Sequence, residues 1–175
     1  MISDKIKEAV RDIPDFPNSG IVFKDITPIL KQPKLCKEII QAFSDRLIPG
    51  TIDVVAGVES RGFLFGVMLA SYLDVPFVPI RKSGKLPYKT VEQSYDLEYG
   101  SASIEMHADA IEQGQNVLIH DDLLATGGTV VAASKLIQQC GGIIAGYTFI
   151  INLSFLQGTP RIQPYSSNII ALTTY

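Results

Sequence analysis

Two adjacent carboxylates, Asp121 and Asp122, follow the apolar run Val117-Leu118-Ile119-His120 and precede Leu123-Leu124-Ala125-Thr126-Gly127-Gly128-Thr129. The apolar run reads as a short buried strand, and Val130–Cys140 reads as a helix, so the acids fall at the carboxyl end of a strand, where open α/β sheets bind ligands. The five residues Ala125 to Thr129 place hydroxyls, glycines and successive backbone amides ahead of that helix. Such a segment can seat a phosphate on the helix N-terminus. Carboxylates accept hydrogen bonds from vicinal hydroxyls but repel phosphate, so the order of groups suits a sugar phosphate: diol on the acids, ester phosphate a few residues further on. Alone, an Asp-Asp pair is usually a solvated turn and a Thr-Gly-Gly-Thr run is a loop closing onto a helix. Strand, acids, cup and helix in unbroken order are a stronger signal. The Gly-x4-Gly-Lys-Ser/Thr pattern of a P-loop is absent from the chain.

Three other stretches carry chemistry. Val58-Glu59-Ser60-Arg61-Gly62-Phe63 leaves a strand and opens a helix, so its amides and Arg61 can meet a second anion; the bland alternative is a Ser60 cap with Arg61 solvated. Arg81-Lys82-Ser83-Gly84-Lys85 is the nearest thing to a basic patch. Beside a phosphate site those cations read as anion ligands. Asp15 to Pro28 is too apolar for an ordinary exposed loop and too rich in Pro and Gly for a helix or central strand, which suggests a lid or a packed N-terminal arm. His107 and His120 have no partners at metal-ligand spacing, and Cys36 and Cys140 read as reduced core thiols.

The elements that must position these residues follow from periodicity. Ser3–Ile13 has helical spacing and ends at Pro14 and Pro17; Leu35 to Leu47 forms a second helical face, closed by Pro49-Gly50. Strand Asp53–Gly57, helix Arg61–Leu73 and strand Phe77–Ile80 come next, then an irregular, mobile-looking stretch Gly84–Ser94 flanked by a two-stranded excursion. After the signature strand and helix come β-like Ile143–Leu153 and Asn168–Leu172. The alternation predicts an α/β fold: a single domain over residues 1–175 with a mainly parallel central sheet and helices on both faces. With 175 residues, 46% of them hydrophobic, the chain can bury one sizeable core. A net charge of −3 with no basic face argues against a nucleic-acid partner. No apolar run is long enough for a membrane span and the N-terminus lacks a signal-peptide core, so a cytoplasmic location is expected.

The Val117–Thr129 segment resembles the phosphoribosyl-diphosphate (PRPP) signature of the type I phosphoribosyltransferases, and its Leu-Leu-Ala-Thr-Gly-Gly-Thr wording is nearest to the adenine-using members. The resemblance extends from Asp15 to Leu153. It implies transfer of phosphoribosyl from PRPP to N9 of adenine, giving AMP and pyrophosphate, with Mg²⁺ held mainly by PRPP and water near Asp121 and Asp122, in a homodimer. Asp121 and Asp122 would hold the ribose hydroxyls. Leu123, Leu124, Ala125, Thr126, Gly127, Gly128 and Thr129 would hold the 5-phosphate, and Glu59 and Ser60, joined by a cis peptide, the pyrophosphate. Residues 1–30 would be an N-terminal arm and hood. In that hood Val22, Phe23 and Lys24, together with Leu153, would pack on or read the adenine; Lys24 stands where relatives often have Arg. Residues 81–100 would be a flexible catalytic loop, with Arg81 and Lys85 joining Arg61 on the leaving group, one of them across the dimer interface. Glu98 matches a glutamate that manages a proton on the base, and Tyr99 a tyrosine near the reacting centre. Asn152 replaces a carboxylate usual in relatives. Another base (hypoxanthine, guanine or xanthine), or a non-catalytic PRPP- or purine-sensing role, are the alternative readings of the same fold.

Overall fold

A computed structural model describes residues 1–96 and 100–175. Helix α1 (Ile2–Ala9) is followed by a two-stranded antiparallel ribbon of β1 (Arg11–Pro14) and β2 (Val22–Asp25), then α2 (Thr27–Leu30) and α3 (Pro33–Ser44). The sheet begins with β3 (Val54–Val58) and continues through α4 (Gly62–Leu73), β4 (Phe77–Lys82), β5 (Thr90–Asp96), β6 (Ser101–His107) and β7 (Asn116–Leu124). It is completed by α5 (Gly128–Gln139), β8 (Ile143–Asn152), α6 (Gly158–Ile162) and β9 (Ile169–Thr174). Seven strands lie in the order β5-β6-β4-β3-β7-β8-β9. The five from β4 to β9 are parallel, and β6 and β5 extend the β4 edge antiparallel.

Helices cover both faces, as the alternation of elements implies. Val54, Ala56, Val117 and Ile119 pack with α5 on one side, while Val55 and Leu118 pack with α1, α3 and α4 on the other. Successive strand residues point to opposite faces, so a strand buried on both sides reads as continuous apolar sequence. That is the pattern of Val117 to Ile119.

The strand order reverses between β3 and β7: β3 connects outward to β4, and β7 connects the other way to β8. Such switch points open a crevice at the carboxyl ends of the strands. Here the opening has a simple cause in strand length. The β3–β7 register ends at Gly57 opposite His120, whereas β7 stays paired with β8 as far as Leu124 opposite Asn152. Asp121 and Asp122 thus lie inside β7, not beyond its end as Val117–His120 alone would suggest.

Three other expectations are corrected. The first helix stops at Ala9; Val10 is extended, and residues 11–14 form β1. Cross-strand pairs decide this, with Arg11 opposite Asp25 at 2.9 Å and Asp12 opposite Lys24 at 2.7 Å, and Pro14 cannot serve a helix interior. The irregular stretch ends before Thr90, because residues 90–96 pair continuously with 101–107. Helix α5 starts at Gly128, two residues earlier than the apolar spacing suggests, which puts Thr129 in its first turn.

Candidate active site

The crevice at the β3–β7 switch holds about 420 Å³ and is lined by Phe23, Glu59, Ser60, Arg61, Lys82, Asp121, Asp122, Leu123 and Ala125. Four chain segments converge there. From β2 comes Phe23; from the β3–α4 turn, residues 59–61; from the end of β4, Lys82; from β7 and the turn after it, the acids, Leu123 and Ala125.

The acids face the gap that β3 leaves. Asp121 Oδ1 accepts the Asp122 amide at 2.9 Å, and Asp122 Oδ2 lies 3.0 Å from Arg61 Nε. Burial raises both carboxyls above the ordinary aspartate value. Asp121 is raised well above it because the charge of Asp122 adds to burial, whereas the Arg61 guanidinium pulls Asp122 part of the way back. A buried Asp122 and a half-buried Asp121 with so few donors favour a ligand that brings hydroxyls or positive charge. The backbone packs tightly against them: a Cβ on Gly62 would stand 2.9 Å from the His120 carbonyl oxygen and 3.0 Å from Asp121 Oδ1. Only glycine lets the α4 N-terminus approach β7 this closely.

The cup after β7 is shaped in the same way. Gly127 caps α5 in the left-handed region at φ +80°, and a side chain there would meet Gly158 O at 3.0 Å. A Cβ on Gly158 would collide with the Ala125 carbonyl. The first amides of α5 have no partner within the helix, so they point into the cup with the positive end of its dipole. Two side chains flank it that the motif does not name. Thr129 Oγ1 donates to the Tyr95 hydroxyl at 3.2 Å, and Arg161 Nη1 donates to the Thr126 carbonyl at 2.9 Å. Both lie against Gly128, whose Cβ would be 3.6 Å from Tyr95 Cδ2 and 3.9 Å from the Arg161 terminal nitrogens.

Beside Asp122, the Arg61 guanidinium stacks 4.7 Å from the Phe23 ring centre and donates to the Lys24 carbonyl at 3.3 Å. The Lys24 ammonium points elsewhere, to Asp12 at 2.7 Å and over the Tyr175 ring at 4.0 Å. At this position the backbone, not the charge, faces the cleft. Phe16 packs edge-on against Phe23 with ring centres 5.2 Å apart.

The Glu59–Ser60 peptide is cis, as the resemblance implies. Glu59 Oε2 accepts from Arg81 Nε at 3.0 Å and from the Lys82 amide at 2.9 Å. Burial works against its charge, but these donors prevail and hold Glu59 below the usual carboxylate range. Arg81 Nη1 reaches the Lys85 carbonyl at 3.2 Å.

Of the residues singled out in the sequence, Phe23, Glu59, Ser60, Arg61, Lys82, Asp121, Asp122, Leu123 and Ala125 meet in one cleft. Val22, Arg81, Lys85, Leu153 and Thr126 to Thr129 stand outside its lining, and Leu124 is buried in the core. Glu98 and Tyr99 lie outside the described residues. Lys82, read in the sequence as one of the cations of the 81–85 patch, does line the cleft, whereas the roles of Tyr95 and Arg161 were missed. Lys82 continues the face of buried Val78 and Ile80 to the last residue of β4. Tyr95 and Arg161 reach the cup only through tertiary packing. His120 is structural, fully buried with Nδ1 2.9 Å from Thr148 Oγ1, and His107 donates to the Pro87 carbonyl at 2.7 Å.

Paired acids and a glycine-containing turn into a helix at the switch point of a mostly parallel sheet define a class, and comparison with known proteins agrees. Residues 24–156 match the phosphoribosyl transferase domain family. The chain is 52% identical to an adenine phosphoribosyltransferase of Cytophaga hutchinsonii over 175 residues, covering all of this chain and 97% of that one. Among solved structures, the adenine phosphoribosyltransferase of Thermoanaerobacter pseudethanolicus superposes with a TM-score of 0.95 at 47% identity, with 100% of both chains covered. The Saccharomyces cerevisiae enzyme, crystallised with adenine and an imino-altritol bisphosphate, gives 0.90 at 41% identity, covering 98% of this chain and 97% of that one. The chain belongs to the phosphoribosyltransferase family, among its adenine phosphoribosyltransferases.

Proposed function

We infer that this chain transfers the phosphoribosyl group of PRPP to N9 of adenine, releasing pyrophosphate and forming AMP, a purine-salvage reaction. The observation that carries the reading is one cleft lined by both acids, by Phe23, by the cations Arg61 and Lys82, and by Ala125, the first residue of the turn into α5. Arg61 indicates what the slot accepts: a planar group that stacks on Phe23 and donates N–H to the Lys24 carbonyl, as the face and exocyclic amine of adenine would. Asp121 and Asp122 orient the ribose 2- and 3-hydroxyls. The turn Ala125–Thr129 seats the 5-phosphate, with Leu123 and Leu124 holding that turn on the core.

The C1–O bond to pyrophosphate breaks as positive charge grows on C1 and the ring oxygen, an oxocarbenium-like state. N9 attacks C1 from the opposite face and loses its proton, for which Glu98 is the proposed acceptor, with Tyr99 beside it. Arg61, Arg81, Lys82 and Lys85 supply positive charge toward the departing group, and Glu59 and Ser60 shape its seat. No covalent intermediate is required. Mg²⁺ fits this arrangement as an ion carried by PRPP oxygens and water beside Asp121 and Asp122, where it would neutralise pyrophosphate charge; among the described residues no group of three or more His, Cys, Asp or Glu is clustered to hold a metal. No described helix is long and apolar enough to cross a membrane, which suits the proposed cytoplasmic location.

A homodimer is part of the proposal. Leu64, Val67 and Tyr72 are exposed on α4, and Val67 and Met68 line an apolar groove with Ile40 of α3; a second copy would cover this face. Light scattering that finds only monomer removes it. The activity is tested by pyrophosphate release with PRPP, Mg²⁺ and a panel of bases. Release with adenine but not hypoxanthine, guanine or xanthine is expected; preference for another base reassigns the slot, and PRPP binding without turnover favours a sensing role.

A further inference from the structure

Glu105 is a buried carboxylate outside the cleft lining, only 5% exposed, in the middle of β6. It sits directly opposite Arg81 of β4 and Glu92 of β5, so their side chains share one face of the sheet. Its Oε1 accepts the Lys85 amide at 2.8 Å and the Leu86 amide at 2.7 Å. Burial works against its charge, but these amides, with that of Gly84 and the Thr90 hydroxyl, hold it below the usual carboxylate range.

Consecutive backbone amides make an anion-binding concavity, and in this loop the anion is supplied by the protein itself. The same peptide is held at its other end, where the Lys85 carbonyl accepts from Arg81 Nη1 at 3.2 Å and Arg81 Nε donates to Glu59 at 3.0 Å. Glu105, the Lys85 backbone, Arg81 and Glu59 thus form a continuous chain of charge-assisted hydrogen bonds from the interior of β6 to the cis-peptide turn of the cleft. An apolar residue would serve β6 packing at no desolvation cost; a carboxylate is costly there unless its donors are the point.

We propose that Glu105 is a positioning residue for the leaving-group subsite, fixing the loop backbone so that Arg81 and Lys85 face the pyrophosphate. It touches no reacting atom. The inference rests on the functional reading above, in which Arg81 and Lys85 serve the pyrophosphate.

The test is steady-state kinetics of the reverse reaction, with magnesium pyrophosphate and AMP varied separately. Glu105→Asp keeps the charge but shortens the reach, and is expected to raise KM for pyrophosphate about tenfold while leaving KM for AMP within about twofold. Glu105→Gln keeps the length and one acceptor oxygen, and is expected to raise KM for pyrophosphate about threefold; it decides the matter should the Asp variant fold poorly. Faster hydrogen exchange at the Lys85 and Leu86 amides should accompany the change. If both variants leave KM for pyrophosphate unaltered, or shift the two KM values equally, Glu105 is only structural and the proposal is overturned. Arg81→Ala and Lys85→Ala separate the two readings. If these raise KM for pyrophosphate and the Glu105 variants do not, only the present inference fails; if these too leave it unchanged, the subsite assignment fails with it.

Discussion

The residues proposed to hold ribose and phosphate lie in one continuous segment, Asn116 to Thr129, whose strand is buried on both faces and whose turn runs straight into α5. The proposed base slot is assembled differently: Phe23 and the Lys24 carbonyl come from a small ribbon outside the main sheet, and Arg61 arrives from 37 positions further along the chain. The first half is held by the core and by glycines that admit no side chain. The second is held by a few polar and aromatic contacts, among them ion pairs with exposed partners. On the proposed function, rigidity would lie where the sugar must be aligned, and adaptable contacts where a flat base must enter and leave.

Perturbations should separate the halves. The largest loss is expected from Asp121→Asn combined with Asp122→Asn, which removes the ribose acceptors: kcat/KM should fall by about 100-fold or more with the circular dichroism spectrum unchanged. Unaltered turnover would falsify the ribose assignment. Phe23→Ala removes a stacking surface and should raise KM for adenine about tenfold while KM for PRPP stays near the parent value; equal effects on both substrates would mean the halves are not separable. Gly158→Ala forces a Cβ onto the Ala125 carbonyl. Overpacking of about 1–3 kcal/mol should lower Tm by several degrees and raise KM for PRPP more than that for adenine, a split read from calorimetry and kinetics together.

Acid should weaken the rigid half through His120. Burial pushes its pKa down to about 3, against an ordinary value near 6.5, so the folded chain keeps it neutral while the unfolded chain takes up a proton. The contribution to stability is complete above pH 6.5 and is lost progressively as pH falls from 6.5 toward 3. His120→Gln, which can still bond Thr148, should flatten the dependence of Tm on pH in that window. An equally steep profile would assign the acid sensitivity to other groups. The smallest effect belongs to Lys24→Ala. Its ammonium pairs with exposed Asp12, so stability should change by less than about 1 kcal/mol and KM for adenine by less than about threefold. A tenfold rise would show that the side chain, and not the carbonyl, reads the base.

What was legible in the sequence tracks this division. The parallel sheet, the helices on both faces, the acids and the cup could be read from residues 117–129 and the α/β alternation, because their determinants lie within one strand or one helix turn of each other. The ribbon Arg11–Pro14 with Val22–Asp25 was hidden, since Ile6, Ala9, Val10 and Ile13 keep helical spacing and only pairing with residues further along the chain overrides it. The roles of Tyr95 and Arg161 at the cup, and of Glu105 beneath the loop, have no local signature either. Each depends on an element that packs beside the site from a distant part of the chain.

By itself, then, the sequence determined which candidate groups stand near one another in chain order: paired acids and a glycine-containing turn that opens a helix. Tertiary structure alone decided that β3 stops short of β7, that the cleft opens beside the acids there, and that a guanidinium paired to Asp122 stacks on a phenyl ring within it. The reason is physical. Backbone propensity and side-chain periodicity act over a few residues, whereas strand register and the charge environment of a buried carboxyl are set by whatever the folded chain brings alongside.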